Sequence, residues 1–168
     1  MIVIVMGVSG CGKSTVAAHM AKNLNIDFLD ADDLHPPENK QIMSTGIALT
    51  DENRLPWLNA VRDFACSQSS LNKSCVIACS ALKRSYRHIL SEAPSVSYVF
   101  LDGPKSLIQQ RMRKRAGHFM PASLLDSQYE ALENPSGESN VVTISIKPTP
   151  ELIARDAIAA LKKNGFFQ

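Results

Sequence analysis

Gly7 and Gly12 stand with four residues between them, and Lys13 and Ser14 follow directly. In the segment Gly7-Val8-Ser9-Gly10-Cys11-Gly12-Lys13-Ser14 the residue types and their spacing are those that hold phosphate. Glycines let backbone N–H groups curl around an anion with no Cβ in the way. A helix starting at the end of such a loop adds about half a positive charge. Lys13 reaches β- and γ-phosphates from this position, and Ser14 can ligate Mg²⁺. The competing reading is a glycine turn that merely joins two elements, and the flanks decide against it. Ile2–Met6 is an unbroken apolar run, as a buried parallel strand requires. Thr15 to Leu24 carries Val16, Ala17, Met20, Ala21 and Leu24 at helical spacing. The order strand, glycine loop, helix makes Gly7–Thr15 a nucleoside triphosphate site and leaves the acceptor open.

Other polar groups could choose that acceptor. Asp30-Ala31-Asp32 follows the second apolar run. Two carboxylates two residues apart at a strand end can face one pocket, one holding a Mg²⁺-bound water and the other accepting the proton of an attacking hydroxyl. An acidic turn capping the next helix is the plainer alternative. Lys83 and Arg87, four apart, share a helix face and could grip an anion, or form a solvated basic face. Arg54 precedes Leu55-Pro56-Trp57, read here as a turn. Arg111 and Arg115 share another helix face and, with His118, could neutralise charge on a transferred phosphoryl group. A nucleic-acid patch is the rival reading, but no aromatic residues interleave with these charges. Lys147-Pro148-Thr149-Pro150 could frame an adenine, with Pro148 on the ring, or simply start the last helix.

These groups need a scaffold, and the hydropathy pattern supplies one. Strand-like runs cover Ile2–Met6, Ile26–Leu29, Cys75–Cys79, Val96–Leu101 and Val141–Ile146. Helical patterns cover Thr15–Leu24, Leu55–Cys66, Tyr86–Leu90, Lys105–Arg115 and Glu151–Lys162. Such alternation predicts an α/β fold with a parallel sheet covered by helices on both faces. Residues 1–168 read as one domain with two inserts, a substrate-binding insert at 34–72 and a lid at 116–138. Ligands of open α/β sheets bind beyond the carboxyl ends of the strands, where the glycine loop and the acidic pair both fall.

Composition narrows the class. The 168 residues are 45% hydrophobic and 20% charged, with a net charge of +2. That balance makes no case for nucleic acid or a membrane surface. No apolar stretch approaches the roughly 18 residues that span a bilayer, and no signal peptide is expected. Cys11, Cys66, Cys75 and Cys79 form no disulfide or zinc pattern and read as reduced thiols of a cytoplasmic protein. Cys11, inside the loop, is expected to be open to oxidation or alkylation.

The segments MGVSGCGKST, FLDADDLHPPEN, GIALTDENRLPWL, CSALKRSYR and RAGHFMPASLLDSQYEALENP together resemble the small P-loop gluconate kinases, the gluconokinases. The resemblance implies a three-layer αβα P-loop kinase fold with a five-stranded parallel sheet in the order 2-3-1-4-5, plus helical substrate-binding and lid inserts. It implies MgATP-dependent phosphorylation of D-gluconate at its 6-hydroxyl, feeding carbohydrate acid catabolism and the pentose phosphate pathway, by a homodimer. Carried over by position, Gly7 to Thr15 bind ATP, with Lys13 catalytic and Ser14 and Asp30 at Mg²⁺. Asp32 accepts the hydroxyl proton. His35, Arg54, Lys83 and Arg87 hold the sugar acid. Arg111, Arg115 and His118 close over the phosphates. The chain departs from the family pattern at Ala31, where Gly is expected, at Ile42 in place of Lys, and at Asn53 in place of Asp.

Overall fold

A computed structural model describes residues 1–114 and 122–167, with side chains described throughout except at 122–124. Five strands, β1 Ile2–Met6, β2 Asp27–Asp30, β3 Cys75–Ala78, β4 Val96–Asp102 and β5 Val141–Ser145, form one sheet in the order β2-β3-β1-β4-β5. Every neighbouring pair is parallel. This is the expected order. The central strand β1 is buried along its whole length, which explains its unbroken apolar run.

Alternation along β1 divides the core. Val3 and Val5 face one layer, with Val16, Ala17 and Met20 of α1 (Lys13–Leu24) and Ile153, Ala154 and Ala157 of α7 (Pro150–Lys163). Ile2, Ile4 and Met6 face the other, with Trp57, Leu58 and Val61 of α3 (Asp51–Ser70) and Tyr86 and Leu90 of α4 (Arg84–Leu90). Strand side chains point alternately to the two faces, so one five-residue strand anchors both layers. The remaining helices are α2 (Pro37–Ser44), α5 (Lys105–Lys114) and α6 (Ala122–Ala131). No helix among the described residues is long and apolar enough to cross a membrane.

Leu55-Pro56-Trp57 is helical rather than a turn. Thr50 and Asn53 form a capping box that starts α3 at Asp51, four residues before the sequence pattern placed it. Pro56 lies inside the helix, and the carbonyl left without a partner belongs to solvent-exposed Glu52, where water can satisfy it. Asn53, a departure from the family pattern, is thus the residue that closes this cap.

Candidate active site

The glycine loop joins β1 to α1 at the carboxyl edge of the sheet. Gly7 has φ 143°, and a Cβ there would lie 2.9 Å from the Cys11 sulfur and 3.0 Å from the Leu101 carbonyl oxygen. Only glycine fits that turn. Gly12 caps α1 in a left-handed conformation, φ 103°, leaving the first N–H groups of the helix without a side-chain cap. Lys13 Nζ donates to the Val8 carbonyl at 3.0 Å, so the lysine spans the loop it belongs to. Cys11 does not behave as expected. It is only 1% exposed, and burial raises the pKa of its thiol. It is a packing residue under the loop, poorly placed for oxidation or alkylation.

The acidic pair forms the capping turn and brings one of its carboxylates to the loop serine. The Asp30 carboxylate accepts from the Asp32 N–H at 3.1 Å, capping a 3₁₀ turn over Ala31–Leu34, and from the Ser14 hydroxyl at 2.5 Å. The cap therefore links the carboxylate to the loop serine, the pairing a Mg²⁺ site needs. Asp32 enters the cleft, and desolvation, then the charge of Asp30, raises its carboxyl pKa. Its side chain keeps wide access to solvent, so this desolvation is partial.

His35 lies beside it, buried, with its ring stacked on Trp57 at 4.2 Å between centroids and 12° between planes. Asn39 Nδ2 donates to the Asn53 carbonyl at 2.8 Å and lies 3.4 Å from His35 Nδ1. A ring accepting at Nδ1 carries its proton on Nε2, which faces Asp32 Oδ1 at 3.9 Å. Desolvation first, then the charges of Arg54 and Lys40, lower the His35 pKa from 6.5 to about 4. The folded protein therefore keeps this ring neutral where the unfolded chain protonates it. No stability is lost on this account above pH 6.5. As pH falls from there towards 4, about 3 kcal/mol is lost. Urea unfolding at pH 7 and pH 4.5 checks this: the wild type should lose more stability than His35→Gln across that interval.

The opposite end of the cleft is basic. Arg54 Nε donates to the Leu49 carbonyl at 3.2 Å, and its guanidinium lies 5.8 Å from the Tyr86 ring centroid. Lys83 Nζ lies 5.6 Å from the same centroid and 2.7 Å from both carboxylate oxygens of Asp51. Tyr86 donates its hydroxyl to Asp51 as well. Lys13, Ser9, Asp32, His35, Arg54 and Lys83 all line one cavity of ≈ 360 Å³.

Arg87 is a correction. It does not line that cavity, although it shares a helix with Lys83's neighbours. It is 2% exposed and gives its donors to the Ala81 and Leu82 carbonyls at 2.9 Å each, the Glu133 carbonyl at 3.1 Å and the Glu138 carboxylate at 2.6 Å. Its five donors are engaged in tying α4 to the segment after α6, leaving none for a sugar acid. Arg111 donates to the Ile146 carbonyl at 2.7 Å, bracing the end of β5 beside the Pro148 bend. Arg115 and His118 lie outside the described residues.

Known proteins extend this geometry. A family model described as an AAA domain matches residues 2–135. The chain is 45% identical over 166 residues to the thermosensitive gluconokinase of Escherichia coli (strain K12), covering 96% of this chain and 89% of that protein. It belongs to the gluconokinase family. A gluconokinase crystal structure from Sinorhizobium meliloti 1021 is 46% identical, with a TM-score of 0.89 over 96% of this chain and 91% of that one. Shikimate kinase from Aquifex aeolicus, 17% identical, has a TM-score of 0.71 over 98% of each chain and shares the fold.

Within this gluconokinase-family site, several residues of the quoted segments were given no role by the sequence. Trp57 donates its indole N–H to the Ala31 carbonyl at 2.6 Å, so the Arg54-Leu55-Pro56-Trp57 segment pins the acidic turn. Gln128 of α6 accepts from the Ser9 N–H at 2.6 Å, bringing that helix onto the glycine loop. Asn39, Asp51 and Tyr86 act through partners distant in sequence.

Proposed function

We propose that the chain is a gluconokinase that transfers a phosphoryl group from MgATP to the 6-hydroxyl of D-gluconate, giving 6-phospho-D-gluconate and ADP. One observation carries this reading: Lys13 of the loop, Asp32, and the cations Arg54 and Lys83 line the same cavity. A hydroxy acid needs a cation for its carboxylate and a base at its reacting hydroxyl, and this cavity offers both beside a phosphate loop.

The residues fit the nucleotide and the metal. The Gly7 turn leaves no room for a Cβ, and Gly12 opens the helix N-terminus without a side-chain cap. Ser14 and Asp30 supply the hard oxygen ligands that Mg²⁺ prefers. Gly7 to Thr15 would hold the phosphates, Arg111 and Arg115 would flank them, and Pro148 would meet the adenine. When bound, MgATP supplies the phosphoryl group and part of the charge that offsets its transfer. Asp32 accepts the proton leaving the 6-hydroxyl. Lys13 draws developing negative charge towards the loop. Neutral His35 donates from Nε2 to a sugar hydroxyl, with Arg54 and Lys83 at the carboxylate end and His118 closing from the lid. We place the enzyme in the cytoplasm as a homodimer. Its four free cysteines fit a reducing compartment, and the dimer follows from the family resemblance.

ADP release from MgATP, measured with D-gluconate, shikimate, AMP or no acceptor, tests the assignment. Stimulation by D-gluconate alone is expected. Stimulation by shikimate or AMP without any by D-gluconate would overturn it.

A further inference from the structure

The two cations at the basic end of the cleft are not equivalent. Lys83 already has a carboxylate, because Asp51 takes its ammonium through both oxygens at 2.7 Å. Arg54 gives Nε to the Leu49 carbonyl, and no hydrogen bond from its terminal nitrogens occurs among the described residues. Its paired terminal N–H groups are a fork suited to a carboxylate. Asp51, in turn, is more than a partner for Lys83. Held by Lys83 and Tyr86, it still lines the cavity with 62% of its side chain exposed. A carboxylate has about four acceptor positions, and three donors from the protein leave one open. Asp51 and Arg54 are three residues apart in α3, so both project from one side of the helix.

We propose that Asp51 is a specificity-determining residue: it accepts a hydrogen bond from the hydroxyl on the carbon next to the acceptor's carboxylate, while Arg54 holds that carboxylate, so the cleft selects 2-hydroxy acids. The inference rests on the sugar-acid reading above and adds to it the orientation of the substrate. A fixed anion cannot take a second anion, so the acceptor's carboxylate goes to Arg54. The adjacent hydroxyl then falls on the neighbouring group, which only accepts hydrogen bonds. An acid lacking that hydroxyl would desolvate Asp51 without repaying it, the situation in which sites built to bind a hydroxyl discriminate most sharply.

The test compares D-gluconate with 2-deoxy-D-gluconate in the wild type and in Asp51→Asn, each as the full chain. In the wild type, removal of the 2-hydroxyl should lower kcat/KM by about 100-fold, and in Asp51→Asn by only a few-fold. Asp51→Asn should also raise KM for D-gluconate. Equal discrimination in both proteins, or none in the wild type, would overturn the proposal. So would a fall in KM, which would make Asp51 an internal competitor for Lys83. Lys83→Met serves as a second variant: it frees Asp51 to swing and should also narrow the discrimination. Wild-type turnover of D-gluconate separately decides the underlying sugar-acid reading, and melting temperature and nucleotide affinity report whether each variant is folded.

Discussion

Asp32→Asn protein should turn over D-gluconate about 10²–10⁴-fold more slowly than the wild type and still bind nucleotide. Under the proposed function this carboxylate, which lines the cleft with Lys13, takes the proton of the 6-hydroxyl, and amide nitrogen and oxygen cannot replace it as a base. The Ser14 bond and the cap of the acidic turn do not use the Asp32 side chain, because both go to the Asp30 carboxylate. Single-turnover kinetics with a separate nucleotide-binding titration would check this. The loss should fall on kcat, since the contact is made in the transition state. A near-normal kcat would take the base role away from Asp32, and a loss confined to nucleotide affinity would move it to the metal side with Asp30.

Arg87→Met should behave in the opposite way, folding poorly but binding normally. Removing the guanidinium leaves the Glu138 carboxylate and the Ala81 and Glu133 carbonyls without their donor, while the Leu82 carbonyl keeps the Glu133 N–H. Loss of one partner of a buried ion pair costs about 3–5 kcal/mol, which in a chain of this length lowers the melting temperature by roughly 10 °C. KM for D-gluconate, measured well below the melting temperature, should stay within a few-fold of the wild type. A large rise in KM at unchanged stability would return Arg87 to the acceptor.

These two residues mark where the sequence was informative. Asp32 was legible as a cleft residue because its signals are local: a strand end, a companion carboxylate two residues away, and a glycine loop upstream. The strands and their parallel arrangement were legible for a similar reason, since β1 and β3 are buried on both faces and read as continuous apolar runs, while the order 2-3-1-4-5 was implied by the family resemblance. Arg87 was misread because four-residue spacing places two side chains on one helix face without saying what covers that face. What covers it is the segment around Glu133 and Glu138, some fifty residues away. The short helix α2 escaped notice because proline and polar residues dominate it, with too few apolar positions to show a period, whereas the 3₁₀ turn corresponds to the acidic turn read from the sequence. Tyr86 and Asn39 were invisible as site residues for the same cause: each acts through a partner that only the folded chain brings near.

The bond from Trp57 to the Ala31 carbonyl has a practical consequence. Trp57 is the sole tryptophan of the chain, it is buried, and its ring lies flat on His35 beside Asp32. Tryptophan emission from this protein, excited at wavelengths where tyrosine does not absorb, therefore originates at a single place, the wall of the cleft. The indole belongs to the layer packed by α3 and α4, whereas α1, which carries the glycine loop, packs on the opposite face of the sheet. An unlabelled fluorescence titration would register acceptor binding more directly than nucleotide binding. A fluorescence unfolding curve follows one face of the sheet, and its coincidence with loss of nucleotide binding would show that the two faces come apart together.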